Sequence, residues 1–170
     1  MAAVDLLSRL VGEPPAVAAQ RVGPDDWELF RRVRLAALAQ APEAFGSRYE
    51  DWVHAGPERW QARLTDVPLN LVLFLDGEPI GLVSGTAPRD GAVELISLWV
   101  APEARGLGVA GEAVRRVRAW AGESGARRVE LMVKIDNTAA RGLYDRLGFA
   151  VMGPNPDDPT ELWLSAGTSE

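Results

Sequence analysis

The chain contains no cysteine. A disulfide framework, a thiol nucleophile and a zinc site of the usual ligands are thereby excluded. One histidine, His54, is present, too few for a histidine metal cluster, and no metal site is expected. It stands in a polar stretch and reads as a solvated residue before a catalytic one. Long hydrophobic runs are missing as well. The first residues, MAAVDLLSRLVGEPP, hold a short apolar stretch broken by Asp5 and Arg9, which resembles neither a secretory h-region nor a membrane span. No membrane association and a cytoplasmic location are the expectation. Excess positive charge is absent too, since 18 Lys and Arg face 24 Asp and Glu for a net charge of −6. Binding nucleic acid or an anionic membrane by counterion release needs clustered cations, so neither is expected, whereas a cationic or amine substrate suits the balance. There is no G-x-S-x-G, which together with the missing thiol leaves an acyl-enzyme poorly supported.

What remains is ordinary in bulk and specific in detail. At 170 residues the chain suits one domain burying about two-thirds of its unfolded surface, and 47% hydrophobic with 25% charged residues is typical of a globular protein. Residues 1–15 read as an N-terminal extension and 16–170 as a single domain. Leu6, Leu7, Leu10 and Val11 could form an amphipathic turn that docks on the domain or on a partner chain, and a frayed terminus is the alternative. A homodimer is compatible with this.

The most informative stretch runs from Val100 to Ala110, VAPEARGLGVA. It joins an apolar strand, VELISLWV from Val93 to Val100, to a helical run from Gly108 to about Glu123. Glycines let the backbone approach a ligand, and the first N–H groups of the helix have no internal partner at its positive end. A pyrophosphate fits such a place. Arg105 would be unfavourable beside a helix N-terminus unless an anion were present.

Gly106-Leu107-Gly108-Val109-Ala110-Gly111 also satisfies the dinucleotide fingerprint G-x-G-x-x-G. In that fold the first glycine follows its strand almost at once, and a second βαβ half is needed. Here Ala101 to Arg105 intervene, the preceding strands read as antiparallel hairpins, and too little chain follows Gly111. A nicotinamide-dependent reductase rests on the glycine match alone.

Val100, Pro102, Arg105, Gly106, Gly108 and Ala110 together resemble V-x-P-x-x-R-G-x-G-x-[GA], a signature of the GNAT superfamily of N-acetyltransferases. Asn137, Ala140, Tyr144, Gly148 and Phe149 resemble that superfamily's second motif, N-x-x-A-x-x-x-Y-x-x-x-G-F. The likeness spans roughly Asp25 to Leu164. It implies an α/β (α+β) fold: a mixed, mostly antiparallel central sheet of about seven strands, flanked by about four helices and splayed beside the cofactor. It implies an acetyl-CoA-dependent enzyme that acetylates a primary amine by direct attack in a ternary complex. The acceptor, a small molecule or a peptide or protein amine, is not readable. A noncatalytic acyl-CoA-binding or sensing domain of the same fold is the rival reading.

The resemblance also assigns residues. Leu98, Trp99 and Val100 would line the pantetheine arm, with the Val100 N–H polarising the thioester carbonyl. Arg105, Gly106, Leu107, Gly108, Val109, Ala110 and Gly111 would cradle the pyrophosphate, and Asn137 and Ala140 would flank the pantetheine. Tyr144 would protonate the departing thiolate, a transfer that needs only a modest pKa adjustment. Glu94 occupies the position of a glutamate base acting through water. By simple alternation it would share a core face with Ile96, Leu98 and Val100 unless a bulge re-aimed it; half-burial would raise its pKa. Ser97 and water chains are the alternatives.

Periodicity supplies the rest. Ala16 to Val22 reads as a first strand, Pro24-Asp25-Asp26 as a helix start and Leu29, Val33, Ala36 and Ala37 as its buried stripe. From Ala41 to Thr65, Phe45, Tyr49, Trp52 and Trp60 alternate with Glu43, Glu50, Asp51 and Glu58, as core or as an aromatic and acidic amine pocket. Asn70 to Leu75 and Ile80 to Thr86 form a hairpin about Asp76-Gly77. Ala92 to Val100 completes a meander. Val129 to Lys134, a helix capped at Asp136 or Asn137, and two strands around a proline-rich loop from Pro154 to Pro159 close the chain.

Overall fold

A computed structural model describes residues 16–169. The extension read at residues 1–15, with its apolar turn, lies outside the described residues. Seven strands form one sheet: β1 Val17–Arg21, β2 Leu69–Leu75, β3 Glu78–Gly85, β4 Ala92–Val100, β5 Arg128–Lys134, β6 Ala150–Asn155 and β7 Asp158–Gly167, in the order β1-β2-β3-β4-β5-β7-β6. Five α-helices accompany them: α1 Trp27–Gln40, α2 Tyr49–Trp52, α3 Pro57–Asp66, α4 Val109–Glu123 and α5 Thr138–Arg146. The fifth, beyond the four expected, is the single turn α2, which period counting does not separate from α3.

Every pairing is antiparallel except β4 with β5. Asp76 and Gly77 both take positive φ, 51° and 81°, the requirement of a tight type I′ hairpin. Gly125 and Gly148 end α4 and α5 in the left-handed region, with φ of 85° and 87°.

One face of the sheet carries α4, which buries Val109, Ala113, Val114, Val117 and Ala121. An added Cβ at Gly85 would lie 3.4 Å from Val93 and from Trp120 of α4; Val93 therefore faces that helix. On the opposite face lie α1 and α3, where fully buried Trp60 meets Phe30 edge-on at 6.1 Å. The α1 stripe differs from the expected one. Phe30, Val33, Arg34, Leu35, Ala37 and Leu38 are buried, while Ala36 is exposed and Leu29 only half-buried, because α3 packs beside the helix as well as the sheet beneath it.

The proline-rich loop also differs. Pro154 lies within β6 and Pro159 within β7, and only Pro156 and Asp157 separate the strands. Proline is tolerated where no ladder N–H is needed, at a sheet edge or a strand's start. β6 is the edge, and Pro159 is second in β7.

Candidate active site

β4 and β5 pair over three positions, Ala92 to Glu94 with Arg128 to Glu130, and no further. Beyond Glu94 the β5-facing edge of β4 is open, and the strands diverge into a cleft. A bulge sets the geometry of that edge. Ser84 opposes Ile96 but Leu82 opposes Trp99, so two β4 residues, Ser97 and Leu98, answer to one on β3. Ser97 has φ of 60°, a left-handed conformation typical of such kinks.

The bulge corrects the expected face of Glu94. Glu94 and Ile96 share a face with Trp99, and Leu98 and Val100 are displaced from that series. Ala101 N–H donates to Ile80 O on β3 (2.7 Å), and N–H directions alternate along a strand. The N–H groups of Val100 and Leu98 therefore point away from β3, toward the cleft.

At the end of β4 the chain turns through Gly106 and Gly108, with φ of 79° and 83°, and enters α4. An added Cβ at either glycine would meet nothing within 4 Å, so the backbone conformation demands glycine while the space above stays open. Glu112 is the first helical donor, to Gly108 O (3.1 Å), and the N–H groups of Gly106 to Gly111 donate to no described residue. A row of unpaired donors at the positive end of a 15-residue helix fits an anion, and a pyrophosphate in particular. The topology fits no dinucleotide domain: the strands before β4 form an antiparallel meander.

Arg105 is exposed and stands beside this row. Its Nε donates to Val100 O (3.1 Å) and its Nη2 to Gln40 Oε1 (3.1 Å). Gln40 Oε1 also accepts from Trp99 Nε1 (2.8 Å), so the last residue of α1 ties the loop to the strand end. Sequence reading missed Gln40, since nothing in a helix terminus signals such a bridge.

From the other side of the cleft comes α5. Asn137 caps it, accepting from Ala140 N–H at 3.1 Å, and Leu147 lies 3.9 Å from where a Gly111 Cβ would stand. That contact brings α5 against the first turn of α4. Tyr144 is 8% exposed, packed edge-on to Phe149 at 5.6 Å, and burial pushes its phenol up to about 12. An open pocket of about 460 Å³ lies on the opposite face of α5, lined by Thr138, Arg141 and Asp145 together with Ala150 and Val151.

Glu94 stands opposite Glu130 in the parallel register. Its carboxyl is raised above the ordinary glutamate range, first by partial burial and then by repulsion from Glu130 and Glu161, although the residue as a whole remains exposed. Glu130 is held by Arg128 (2.6 Å) and Glu161 by Lys134 (3.4 Å). Among the described residues Glu94 has no ion pair, which leaves its carboxylate free to accept a proton. His54 is exposed, and no cluster of metal-ligating residues occurs among the described ones. No described helix is long and apolar enough to cross a membrane.

Residues 33–149 match the family model of the acetyltransferase (GNAT) family. The chain belongs to that family. A stretch of 75 residues, 44% of this chain, is 35% identical to an uncharacterized N-acetyltransferase of Bacillus subtilis (strain 168), of which it spans 30%. Solved structures of similar fold include the PaiA N-acetyltransferase of Thermoplasma acidophilum in complex with coenzyme A, at 16% identity and a TM-score of 0.71, covering 89% of this chain and 99% of that one. A putative acetyltransferase of Salmonella typhimurium with acetyl-CoA superposes with a TM-score of 0.68 at 18% identity, over 91% of this chain and 95% of that one.

Proposed function

We propose that this protein transfers the acetyl group of acetyl-coenzyme A to a primary amine by direct attack in a ternary complex. The unpaired N–H row from Gly106 to Gly111, opening beside the cleft between β4 and β5, carries the reading. The row would hold the pyrophosphate with Arg105, and the open edge of β4 would pair with the pantetheine arm. Leu98 and Val100 present N–H groups fixed by the sheet, which would stabilise charge growing on the thioester oxygen without reorganising. Release of free coenzyme A from acetyl-coenzyme A, assayed over a panel of amines, is the test. Tight acetyl-coenzyme A binding with no turnover on any amine would favour the noncatalytic acyl-CoA-binding alternative.

An ammonium of pKa about 10.4 is neutral in only about one molecule in a few thousand at pH 7, so attack requires a base. Glu94 is the candidate. Three residues, Leu95, Ile96 and Ser97, lie between it and Leu98, so roughly 10 Å of strand or more intervenes at about 3.3 Å per residue. Direct contact with the attacking nitrogen is out of reach, and the proton would travel through water. Because the carboxyl is raised, the acid limb of kcat/KM should lie above the ordinary glutamate range, with activity rising as pH climbs through it. Glu94→Gln is expected to remove that limb and lower kcat about tenfold or more. An unchanged acid limb in the variant would assign the base to Ser97 or to water alone.

The acceptor groove would lie between the early helices and the final hairpin. Tyr49→Ala and Asp158→Asn are therefore expected to raise the acceptor's KM about threefold or more while that of acetyl-coenzyme A stays within about twofold, the signature of lost acceptor binding. Parallel loss of both affinities would place the groove elsewhere.

A further inference from the structure

Arg34, in the middle of α1, is the buried charge among the described residues: it is 7% exposed, and its Nη1 has no hydrogen-bond partner. No described acid forms an ion pair with it. Its guanidinium lies over the Phe45 ring, 4.8 Å from the centroid. Its charged neighbour is another cation, Arg63, which donates to Asn70 Oδ1 (2.9 Å) and Ser84 Oγ (3.2 Å). Burial first, and Arg63 second, pull the Arg34 guanidinium down to about 10. A buried cation without a counter-ion works against folding, and buried polar atoms are otherwise almost always partnered. This position calls for an anion.

Its placement says which one. Six residues beyond Arg34, about 9 Å along the helix axis, Gln40 bonds Trp99 and Arg105 at the mouth of the cleft. Beside it, Arg63 is anchored to Ser84, which pairs with Ile96, and Glu94 lies on the same sheet face two residues before Ile96. One face therefore offers an unpaired carboxylate for an ammonium and an unpaired guanidinium edge for an anion. We infer that Arg34 receives the carboxylate of the acceptor, so that the acetylated amine belongs to a small amino acid-like molecule. The inference rests on the amine acetylation proposed above. A guanidinium edge matches a carboxylate in a plane, and Phe45 excludes water from its face.

The test uses the protein saturated with coenzyme A and matched pairs of reaction products. N-acetyl amino acids with glycine, alanine, leucine, phenylalanine and glutamate side chains are titrated calorimetrically against the N-acetyl amines that lack the α-carboxylate. At least one carboxylate member should bind about tenfold or more tightly than its partner, the preference disappearing in Arg34→Met and persisting in part in Arg34→Lys, with coenzyme A affinity unchanged. Arg34→Met should also keep or raise Tm, since it removes an unpartnered buried charge. Equal affinities within every pair, a preference that survives Arg34→Met, no binding of any product, or unfolding of both variants would overturn the inference. A binding preference without coenzyme A release from any amine would sustain it and instead sink the acetylation reading.

Discussion

Arg105→Glu is expected to raise the Kd for acetyl-coenzyme A by about 100-fold or more, equivalent to about 2.7 kcal/mol. The native side chain stands beside the unpaired N–H row with its guanidinium held by Val100 O and Gln40 Oε1. It has donors left over for a pyrophosphate, and a charged hydrogen bond of this kind contributes about 1.5–3 kcal/mol. Glutamate removes that contribution and adds repulsion against a doubly charged group. Because Arg105 is exposed, losing its two internal bonds should lower stability by only about 1 kcal/mol, and a thermal melt will distinguish weakened binding from unfolding. Arg105→Gln keeps a donor and should fall between parent and Arg105→Glu. Titration calorimetry on all three proteins is the measurement, and an unchanged Kd in the glutamate variant would remove the cradle. NAD(H) should give no heat with the parent protein, because the antiparallel meander before β4 leaves no second nucleotide-binding half.

The glycine turn before α4 was legible because backbone conformation demands particular residues there. Glycine at 106 and 108 answers to positive φ, and Asp76-Gly77 to a turn that few dipeptides can make. Local periodicity gave the strands and the long helices for the same reason: one burial pattern repeats within one element. What was hidden depends on contacts between distant elements. The bulge at Ser97 leaves no mark in VELISLWV, yet it decides that Glu94 lies with Ile96 and Trp99 while Leu98 and Val100 offer their N–H groups to the cleft. Gln40 is 59 residues from Trp99 and 65 from Arg105. The aromatic and acidic stretch after Ala41 read as core or as an amine pocket; Trp60 is core, while Glu43, Glu50, Asp51 and Glu58 are all exposed. Two of the rings lie against arginines, Phe45 on Arg34 and Trp52 on Arg59. A charged residue inside an apolar helical stripe reads as solvated until the partner helix is seen to cover it.

Tyr144→Phe is expected to lower kcat about 100-fold, within the usual range for general acid catalysis. The substitution deletes a hydroxyl that bonds to no described residue and keeps the ring against Phe149, so Tm should hardly move. A phenol near 12 stays protonated at every working pH, and loss of the proton from Tyr144 cannot shape the pH profile below about pH 11. Against an ordinary thiol of pKa about 8.5, full proton transfer from such a phenol would run uphill. The same burial narrows that gap, because a thiolate forming beside Tyr144 is deprived of water too and becomes more basic. The hydroxyl would therefore donate a hydrogen bond as charge grows on sulfur and deliver its proton late, as the bond to carbon breaks. Such an interaction is made in the transition state and not with the intact thioester, so KM for acetyl-coenzyme A should stay within about twofold. Pre-steady-state measurement of the acetyl transfer step, with an acceptor that supports turnover, separates this from slow product release. A transfer rate within twofold of the parent would assign Tyr144 to the packing of α5 and leave the thiolate to depart with its proton taken from water.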